Sequence, residues 1–405
     1  MSWQPDRRQI LQAGVSALCG SAFAASCSRS PSAARVDPGG TLVLLELTGG
    51  CDGLSTVVPF EDDAYQRARP TTGIRGPGIL RLNEQRGLHP TLVKLHRRFQ
   101  AGRLAIVEGA GYPDPPYSHF RAQEVWHTGR RSGRLSGDGW IGRLRQAAWS
   151  ARSQEPLVVH LGTELPWSMQ CSTVPAFAFS SANNLGWVAE PDMIASLEHR
   201  SGQEPSASPM LARLRAGLAD SNQVSRRIVE AVKSYRPRTE YPSRSVLGDS
   251  LRTIAAMLNA GFSTRVYSLS HGNFDVHGAR MRSHHAKLCG LLDQALDAFL
   301  SDIAGTQAGA RTCVLLFSEF GRRVEENESQ GTDHGAAGPM FLLGEPVRGG
   351  LHGRHPSLTE LDAQGNLLFT TDFRSVYATV LEGLFAADAK AVLGEEYPSL
   401  PLLTS

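Results

Sequence analysis

Histidine and carboxylate side chains cluster in one short segment of this 405-residue sequence. Four of the 13 histidines lie between residues 271 and 285. His271, Asp275 and His277 follow directly after a strand pattern at Thr264–Leu269. Borderline divalent ions prefer such a mixture of imidazole and carboxylate ligands. The segment therefore predicts a metal site, with a solvated polar loop as the alternative.

A second segment combines a carboxylate, an arginine and an Asp-His pair after another strand pattern. The apolar run Thr312–Phe317 is followed by Glu319 and Arg322, and Asp333 and His334 lie between small residues further along the same loop. An arginine beside carboxylates and an imidazole suits a site that takes both a cation and an anion. This loop is therefore predicted to share the metal site.

Two further turns supply a carboxylate and a hydroxyl. Asp52 follows the strand pattern Thr41–Leu47, where it either presents its carboxylate or belongs to an ordinary Asp-Gly turn. Ser118 precedes the helical run Phe120–Trp126, either as an N-cap or as a hydroxyl displayed at the positive end of the helix. A nucleophilic alkoxide needs a base or a metal beside it, and His119 or a bound cation could serve.

The elements that must position these groups alternate between strands and helices. The clearest amphipathic helix pattern covers Ser283–Ile303. Buried strands are predicted from apolar runs at Thr41–Leu47, Leu104–Val107, Leu157–Leu161, Thr264–Leu269 and Thr312–Phe317. The alternation predicts an α/β fold with a mostly parallel central sheet flanked by helices. Sites in such sheets lie at the carboxyl ends of the strands, so we expect the polar segments to meet there.

Composition and missing motifs exclude several functions. The 41 basic and 39 acidic residues balance to a net charge of +2, so no nucleic-acid partner is expected. There is no GxGxxG after a strand, no GxxxxGK[ST], no GxSxG and no HExxH, which disfavours dinucleotide enzymes, P-loop ATPases, α/β-hydrolases and common zinc proteases. The cysteines form no CxxC pair, so a zinc ribbon is excluded.

The amino terminus is typical of a twin-arginine export signal. Arg7 and Arg8 precede a mild apolar, small-residue stretch, although an ordinary N-terminus with two arginines by chance is the alternative. We therefore expect a periplasmic or secreted protein whose partners include the twin-arginine translocation machinery. Ala24–Cys27 is similar to a lipobox, so a lipid anchor on Cys27 is the one membrane attachment that the sequence suggests.

The chain divides into three predicted parts. Residues 1–27 form the signal peptide, residues 28–40 a linker rich in small residues and proline, and residues 41–400 one α/β domain. A stretch at about 190–241, rich in Ser, Arg and Pro, is predicted to be a helical insertion or cap.

Taken together, these motifs resemble an exported bacterial family catalogued as domain of unknown function 1501. That family is placed near the alkaline-phosphatase-like (sulfatase-like) superfamily. The resemblance runs from about residue 40 to 390 and rests on Gly49–Pro59 (GGCDGLSTVVP), Gly109–Arg121, Ser318–Arg323 (SEFGRR), Gly331–Gly335 (GTDHG) and Thr370–Leu381 (TTDFRSVYATVL). It implies an alkaline-phosphatase-like fold and a metal-assisted attack on phosphate or sulfate esters.

The resemblance also implies roles for individual residues. Ser118 corresponds to the nucleophile, with His119 beside it, and Arg322 is the candidate to bind an anionic oxygen. A divalent ion (Zn²⁺, Ca²⁺, Mn²⁺ or Mg²⁺) is the implied cofactor, and the implied substrate is a small anionic ester or a surface polymer. The implied metal ligands are Asp52, Asp275, His277, Glu319, Asp333 and His334.

Two functions are consistent with these features. The first is an exported metal-dependent hydrolase of phosphate or sulfate esters with a serine nucleophile at a helix N-terminus. The second is a non-catalytic exported binding protein that retains the fold. The second is motivated by Glu319–Arg322, which lacks the histidine that a full two-metal phosphatase would have at this place.

Overall fold

The structure is a computed structural model that describes residues 39–130, 137–149, 155–173, 176–185 and 209–404, with residues 209–220 as backbone. The predicted signal peptide (1–27), Cys27, most of the predicted linker (28–40) and part of the predicted insertion (190–241) lie outside the described residues. The strands are β1 (Thr41–Leu47), β2 (Val57–Val58), β3 (Leu80–Arg81), β4 (Gly87–Leu88), β5 (Leu104–Gly111), β6 (Val158–Leu161), β7 (Phe177–Phe179), β8 (Val266–His271), β9 (Thr312–Phe317), β10 (Gly338–Leu343), β11 (Gly350–His352) and β12 (Thr371–Asp372).

Helices separate most of these strands. They are α1 (Gly53–Thr56), α2 (Asp63–Ala68), α3 (Val93–Gln100), α4 (His119–Thr128), α5 (Trp140–Ala148), α6 (Ala182–Leu185), α7 (Pro209–Ser234), α8 (Val246–Asn259), α9 (Met281–Ile303), α10 (Phe373–Phe385) and α11 (Ala389–Leu393). Among the described helices, none combines the length and the apolar character needed to cross a lipid bilayer.

One large sheet organises the described residues. Its strand order is β11-β5-β10-β9-β1-β8-β6-β7, with β12 also beside β5, while β2, β4 and β3 form a small antiparallel sheet. Every strand of the large sheet runs in the same direction except β10, which is antiparallel to both neighbours. The prediction of a mostly parallel α/β sheet flanked by helices is confirmed.

Strand boundaries agree with the prediction where the apolar pattern is continuous. The predicted bounds of β1 and β9 are those of the structure. β5 continues to Gly111, beyond the predicted end at Val107, because the backbone of Ala110 and Gly111 pairs with β10 and β12 after the apolar side chains stop. β8 begins at Val266 rather than at Thr264.

Helices cover both faces of the sheet. The side chains of β1 alternate, so that Val43 and Leu45 belong to a core with α3, α7, α8 and α9, whereas Leu42 and Leu44 belong to a core with α4, α5, α10 and α11. Successive side chains of a strand point to opposite faces, so a strand covered on both faces is apolar at nearly every position. The exception in β1 is the buried Glu46, which pairs with Gln123 and His127. Ile228 of α7 lies in the first core, so this helix of the predicted insertion packs into the main body.

The sheet presents its polar loops at one edge. Leu47 of β1 pairs with His271 of β8, and Glu46 pairs with Phe317 of β9, so the three strands end at the same level. Because β10 runs in the opposite direction, the loop that connects β9 to β10 also lies at this edge. This topology brings together segments that are far apart in the sequence.

The turn after β1 packs directly against two of the neighbouring loops. Gly49 and Gly50 have φ angles of +103° and +66°. A Cβ atom on Gly49 would lie 2.6 Å from the Asp275 nitrogen, and one on Gly50 would lie 2.3 Å from the Phe320 ring. Glycine is therefore required at both positions, for its conformation and for the close approach.

A buried ion pair holds this turn to the β9–β10 loop. Asp52 caps α1 by accepting hydrogen bonds from the backbone of Leu54 and Ser55. It also lies 2.6 Å from Nη1 of Arg69, which is fully buried and donates further hydrogen bonds to the carbonyls of Arg323 and Val324. Burial alone would raise the pKa of Asp52, but the charge and hydrogen bond of Arg69 outweigh it and lower the pKa.

We expect Asp52→Asn to lower the free energy of unfolding by about 3–5 kcal/mol, because Arg69 would stay buried without an opposing charge. Since the pKa of Asp52 is lowered in the folded state, its stabilisation is present above about pH 4 and is lost as the pH falls further. Urea denaturation at pH 7 and at pH 3 measures both effects. The exposed N-cap substitution Asp388→Asn is the matched control and should change stability little. Equal stability of wild type and Asp52→Asn at pH 7 would contradict this role.

Candidate metal centre

Three imidazole rings converge on one carboxylate at the polar edge of the sheet. The Nε2 atoms of His277 and His334 lie 2.8 Å and 3.1 Å from Oδ1 of Asp275. Nε2 of His119 lies 3.3 Å from Oδ2 of the same carboxylate. His119 begins α4, Asp275 and His277 follow β8, and His334 precedes β10. The cluster therefore exists only where these three parts of the fold meet.

Each ring is oriented through its other nitrogen. Carboxylate and carbonyl oxygens only accept hydrogen bonds, so in each pair Nδ1 is the donor and carries the proton. The pairs are His119 Nδ1 with Glu319 Oε1 at 2.7 Å, His277 Nδ1 with Asp333 Oδ1 at 2.9 Å, and His334 Nδ1 with the Tyr117 carbonyl at 3.0 Å. A neutral ring then has its lone pair on Nε2, and this arrangement is the one that metal-binding histidines adopt.

The facing atoms of the cluster are acceptors and require a cation between them. Arg322 donates to two of these atoms, Oδ1 of Asp275 and Nε2 of His277. The lone pairs of the other two Nε2 atoms and the carboxylate repel one another unless a proton or a metal ion shares them. Nε2 of His119 is buried, and in the described part of the chain it has no hydrogen-bond partner. A tetrahedral ion with bonds of about 2.0–2.1 Å separates its ligand atoms by about 3.3 Å. The contact of His119 with Asp275, at 3.3 Å, has that separation, whereas the contacts of His277 and His334, at 2.8 Å and 3.1 Å, have hydrogen-bond distances.

His119, Asp275 and His334 form a group that could hold a metal ion. One ligand atom from each lies within 4.8 Å of the others, and the described residues contain no second group of this kind. His277 adds a fourth donor, because its Nε2 lies 3.1 Å from that of His334. Two of the predicted metal ligands, Glu319 and Asp333, do not face the other ligands. Each of them instead accepts the hydrogen bond of a histidine Nδ1 on the far side of the ring.

The electrostatics of the cluster keep its carboxylates ionised. Burial would raise the pKa of Asp275, but the hydrogen bond and the charge of Arg322 outweigh it and hold the pKa well below its ordinary value. Glu319 is buried as well, and hydrogen bonds from His119 and the Gly49 backbone lower its pKa in the same way. The hydrogen bond to Glu319 in turn raises the pKa of His119. Asp275, Glu319 and Asp333 place three negative charges around the cluster against the one positive charge of Arg322, which favours a cation here.

Arg322 has a different role from the predicted one. Its side chain is buried, and all three guanidinium nitrogens donate to protein acceptors. These are the carbonyls of Gly49, Gly50, Phe274 and Thr332, the Asp275 carboxylate and Nε2 of His277. An arginine that is already satisfied in this way does not fit the predicted binding of an anionic oxygen. It instead positions Asp275 and joins the loops after β1, β8 and β9.

Ser118 has the backbone of an N-cap but not its hydrogen bond. Its φ and ψ angles are −121° and 126°, and its side chain makes no capping bond to α4. The residue is exposed, and within the described residues its hydroxyl has no partner. Of the two alternatives that the sequence left open, the structure favours a hydroxyl displayed beside His119.

The structure brings together most of the predicted site residues. Asp275, His277 and His334 meet with His119, while Asp52 is apart from them in its ion pair with Arg69. From its position beside Ser118, His119 was predicted to activate the serine hydroxyl and was not among the predicted metal ligands. The role of the Tyr117 carbonyl in orienting His334 could not be predicted from the sequence, because every residue has a carbonyl group.

Comparison with known proteins adds a family and several structural similarities. No curated protein matches the sequence. A protein in the alkaline phosphatase superfamily from Vibrio parahaemolyticus is similar at 10% identity over 97% of this chain and 78% of that chain, with a TM-score of 0.41. The PsFucS1 sulfatase from Pseudoalteromonas sp. has 10% identity, coverages of 89% and 70%, and a TM-score of 0.40. A phosphonate monoester hydrolase from Silicibacter pomeroyi has 10% identity, coverages of 88% and 77%, and a TM-score of 0.38.

The family match covers the larger part of the chain. Residues 108–392 match the family described as "Protein of unknown function (DUF1501)". This span contains all four residues of the cluster around Asp275 and confirms the resemblance found in the sequence motifs. The chain belongs to the DUF1501 family.

Proposed function

We propose that this protein is an exported metal-dependent hydrolase of phosphate or sulfate esters. The convergence of three Nε2 atoms on Asp275, each ring held through Nδ1, is the observation that supports the proposal most directly. Imidazole lone pairs that face a carboxylate are unfavourable without a cation among them. A metal centre at the polar edge of a parallel sheet also lies where α/β proteins place their sites.

The ligand set favours a transition-type divalent ion, Zn²⁺ before Ca²⁺ or Mg²⁺. Imidazole nitrogen suits zinc, whereas calcium and magnesium prefer oxygen ligands. When bound, such an ion lowers the pKa of a hydroxyl group and offsets charge on the ester oxygens. Glu319 and Asp333 keep Nδ1 protonated on His119 and His277, and Arg322 holds Asp275 in place.

Ser118 is the proposed nucleophile. Its hydroxyl is exposed at the start of a ten-residue helix, next to His119. The partial positive charge of a helix N-terminus favours an anionic ester at this position. In the proposed reaction Ser118 Oγ bonds to phosphorus or sulfur, its proton is released, and the ester bond to the alcohol breaks as the alcohol takes up a proton. Water then hydrolyses the seryl ester and restores the hydroxyl group.

We expect the purified protein to bind one equivalent of Zn²⁺, and His334→Ala to abolish that binding. Glu319→Gln should weaken it by about 10–100-fold, because the orienting hydrogen bond to His119 would be altered. Competition with a zinc chelator measures both. His96→Ala, outside the cluster, is the matched control, and Asp52→Asn should also keep full metal stoichiometry. Unchanged zinc affinity in His334→Ala would contradict the metal centre.

We expect Ser118→Ala to lower kcat by at least about 10³-fold on any ester that the wild type hydrolyses, while its zinc content is unchanged. The measurement is turnover of a panel of phosphate and sulfate esters, with zinc determined in the same samples. Ser283→Ala, an exposed serine at the start of α9, is the control and should behave as wild type. Full activity of Ser118→Ala would exclude a serine nucleophile.

A second candidate function is a non-catalytic exported binding protein. It is favoured by Asp52 and Arg322, two residues with implied catalytic tasks whose polar groups are bonded within the protein. It differs from the first candidate in its expected result: stoichiometric metal binding with no turnover of any ester in the panel.

We also propose that the protein is exported through its twin arginines. Replacing both Arg7 and Arg8 by lysine should retain the protein in the cytoplasm, because the translocation machinery recognises the arginine pair. Fractionation of cells with an antibody against the folded domain measures this. The double substitution Arg29→Lys and Arg35→Lys is the control and should not affect localisation. Equal periplasmic amounts in both variants would contradict export by this route.

A further inference from the structure

A cleft lies beside the metal centre and shares residues with it. The cleft has a volume of about 580 Å³, and Tyr117, Glu319 and Phe320 are among the residues that line it. The Phe320 ring packs on His119 and His334 with centroid distances of 4.8 Å and 4.7 Å, so it borders both the cleft and the cluster. This volume is in the range of small-molecule sites.

The walls of the cleft are apolar and partly exposed to solvent. The walls include four aromatic rings and one aliphatic side chain, from Tyr112, Tyr117, Phe320, Phe369 and Leu368. Leu368 and Phe369 are 50% and 36% exposed. The described residues include five exposed large apolar side chains, and two of them, Leu368 and Phe369, line this cleft. Exposed apolar groups gathered at one place mark a binding surface, whereas scattered ones do not.

The charged groups of the cleft are acidic. Asp114, Glu319 and Asp362 line it, and none of its described lining residues is lysine or arginine. Asp362 accepts hydrogen bonds from Asn366 and from the Tyr117 hydroxyl at 2.8 Å. Burial opposes its charge, but these hydrogen bonds lower its pKa and keep it ionised. A group with several negative charges would be repelled here.

We propose that this cleft binds the alcohol part of the ester: an uncharged hydroxyl compound with a flat, apolar, ring-sized face, such as a phenol. The inference rests on the proposed function, because it names the substrate class of the same site. The anionic group of the ester would lie at the metal centre and the ring against Tyr117 and Phe369. Nucleotides and multiply sulfated polymers are thereby excluded as substrates.

Binding of a neutral phenol tests the proposal without requiring turnover. The full chain is titrated with 2-naphthol and, separately, with 6-hydroxynaphthalene-2-sulfonate, and binding is followed by naphthol fluorescence. We expect the neutral compound to bind and the sulfonate to bind at least about tenfold more weakly. Phe369→Ala and Leu368→Ser should each weaken naphthol binding about tenfold. Both residues are partly exposed, so both variants are expected to fold, which circular dichroism checks.

Val246→Ala is the matched control, because Val246 is 79% exposed and is not among the residues that line the cleft. It should bind naphthol as the wild type does. Equal binding of both compounds, no binding of naphthol, or the same loss in Val246→Ala as in Phe369→Ala would each overturn the proposal. If the wild type hydrolysed no ester but bound naphthol, the proposed function would be contradicted and the binding site would not, because naphthol binding does not depend on catalysis.

Discussion

The site depends on an electrostatic constraint: lone pairs of three imidazole rings face the carboxylate of Asp275. Such a group is unfavourable unless a cation lies among its members. The protein maintains it by fixing each ring from behind, with Glu319, Asp333 and the Tyr117 carbonyl as the acceptors. Arg322 donates a hydrogen bond to the Asp275 carboxylate and so holds it in place. The arrangement of acceptors outside the cluster thus determines which nitrogen atoms are available inside it.

The fold creates this arrangement by ending three parallel strands at one level. β1, β8 and β9 are adjacent, and the reversal of β10 returns the chain to the same edge. The turn at Gly49 and Gly50 fills the space between the loops that follow β8 and β9, and the Asp52–Arg69 ion pair joins it to the β9–β10 loop. These contacts make the candidate metal centre a product of the sheet's topology.

The two residues with the least expected positions, Asp52 and Arg322, are both buried charges. A charge that enters the interior must be paired there, so each is satisfied by protein groups rather than by solvent or substrate. Both contribute to the site by position: Asp52 anchors the turn after β1, and Arg322 orients Asp275. A residue that is close to a site is therefore not necessarily available to a ligand, and hydrogen-bond satisfaction distinguishes the two cases.

From the sequence alone, the continuous apolar runs predicted β1 and β9 and the mostly parallel sheet, because a strand covered on both faces is apolar at nearly every position. Asp275, His277 and His334 were predicted as ligands from residue types after strands. The tertiary structure decided which groups share a centre. It places His119 in the cluster, and it places Glu319 and Asp333 as acceptors for histidine Nδ1 atoms. It also buries Arg322, whose charge is paired with Asp275. Those assignments depend on angles and distances between distant segments, which residue type and spacing along the chain do not encode.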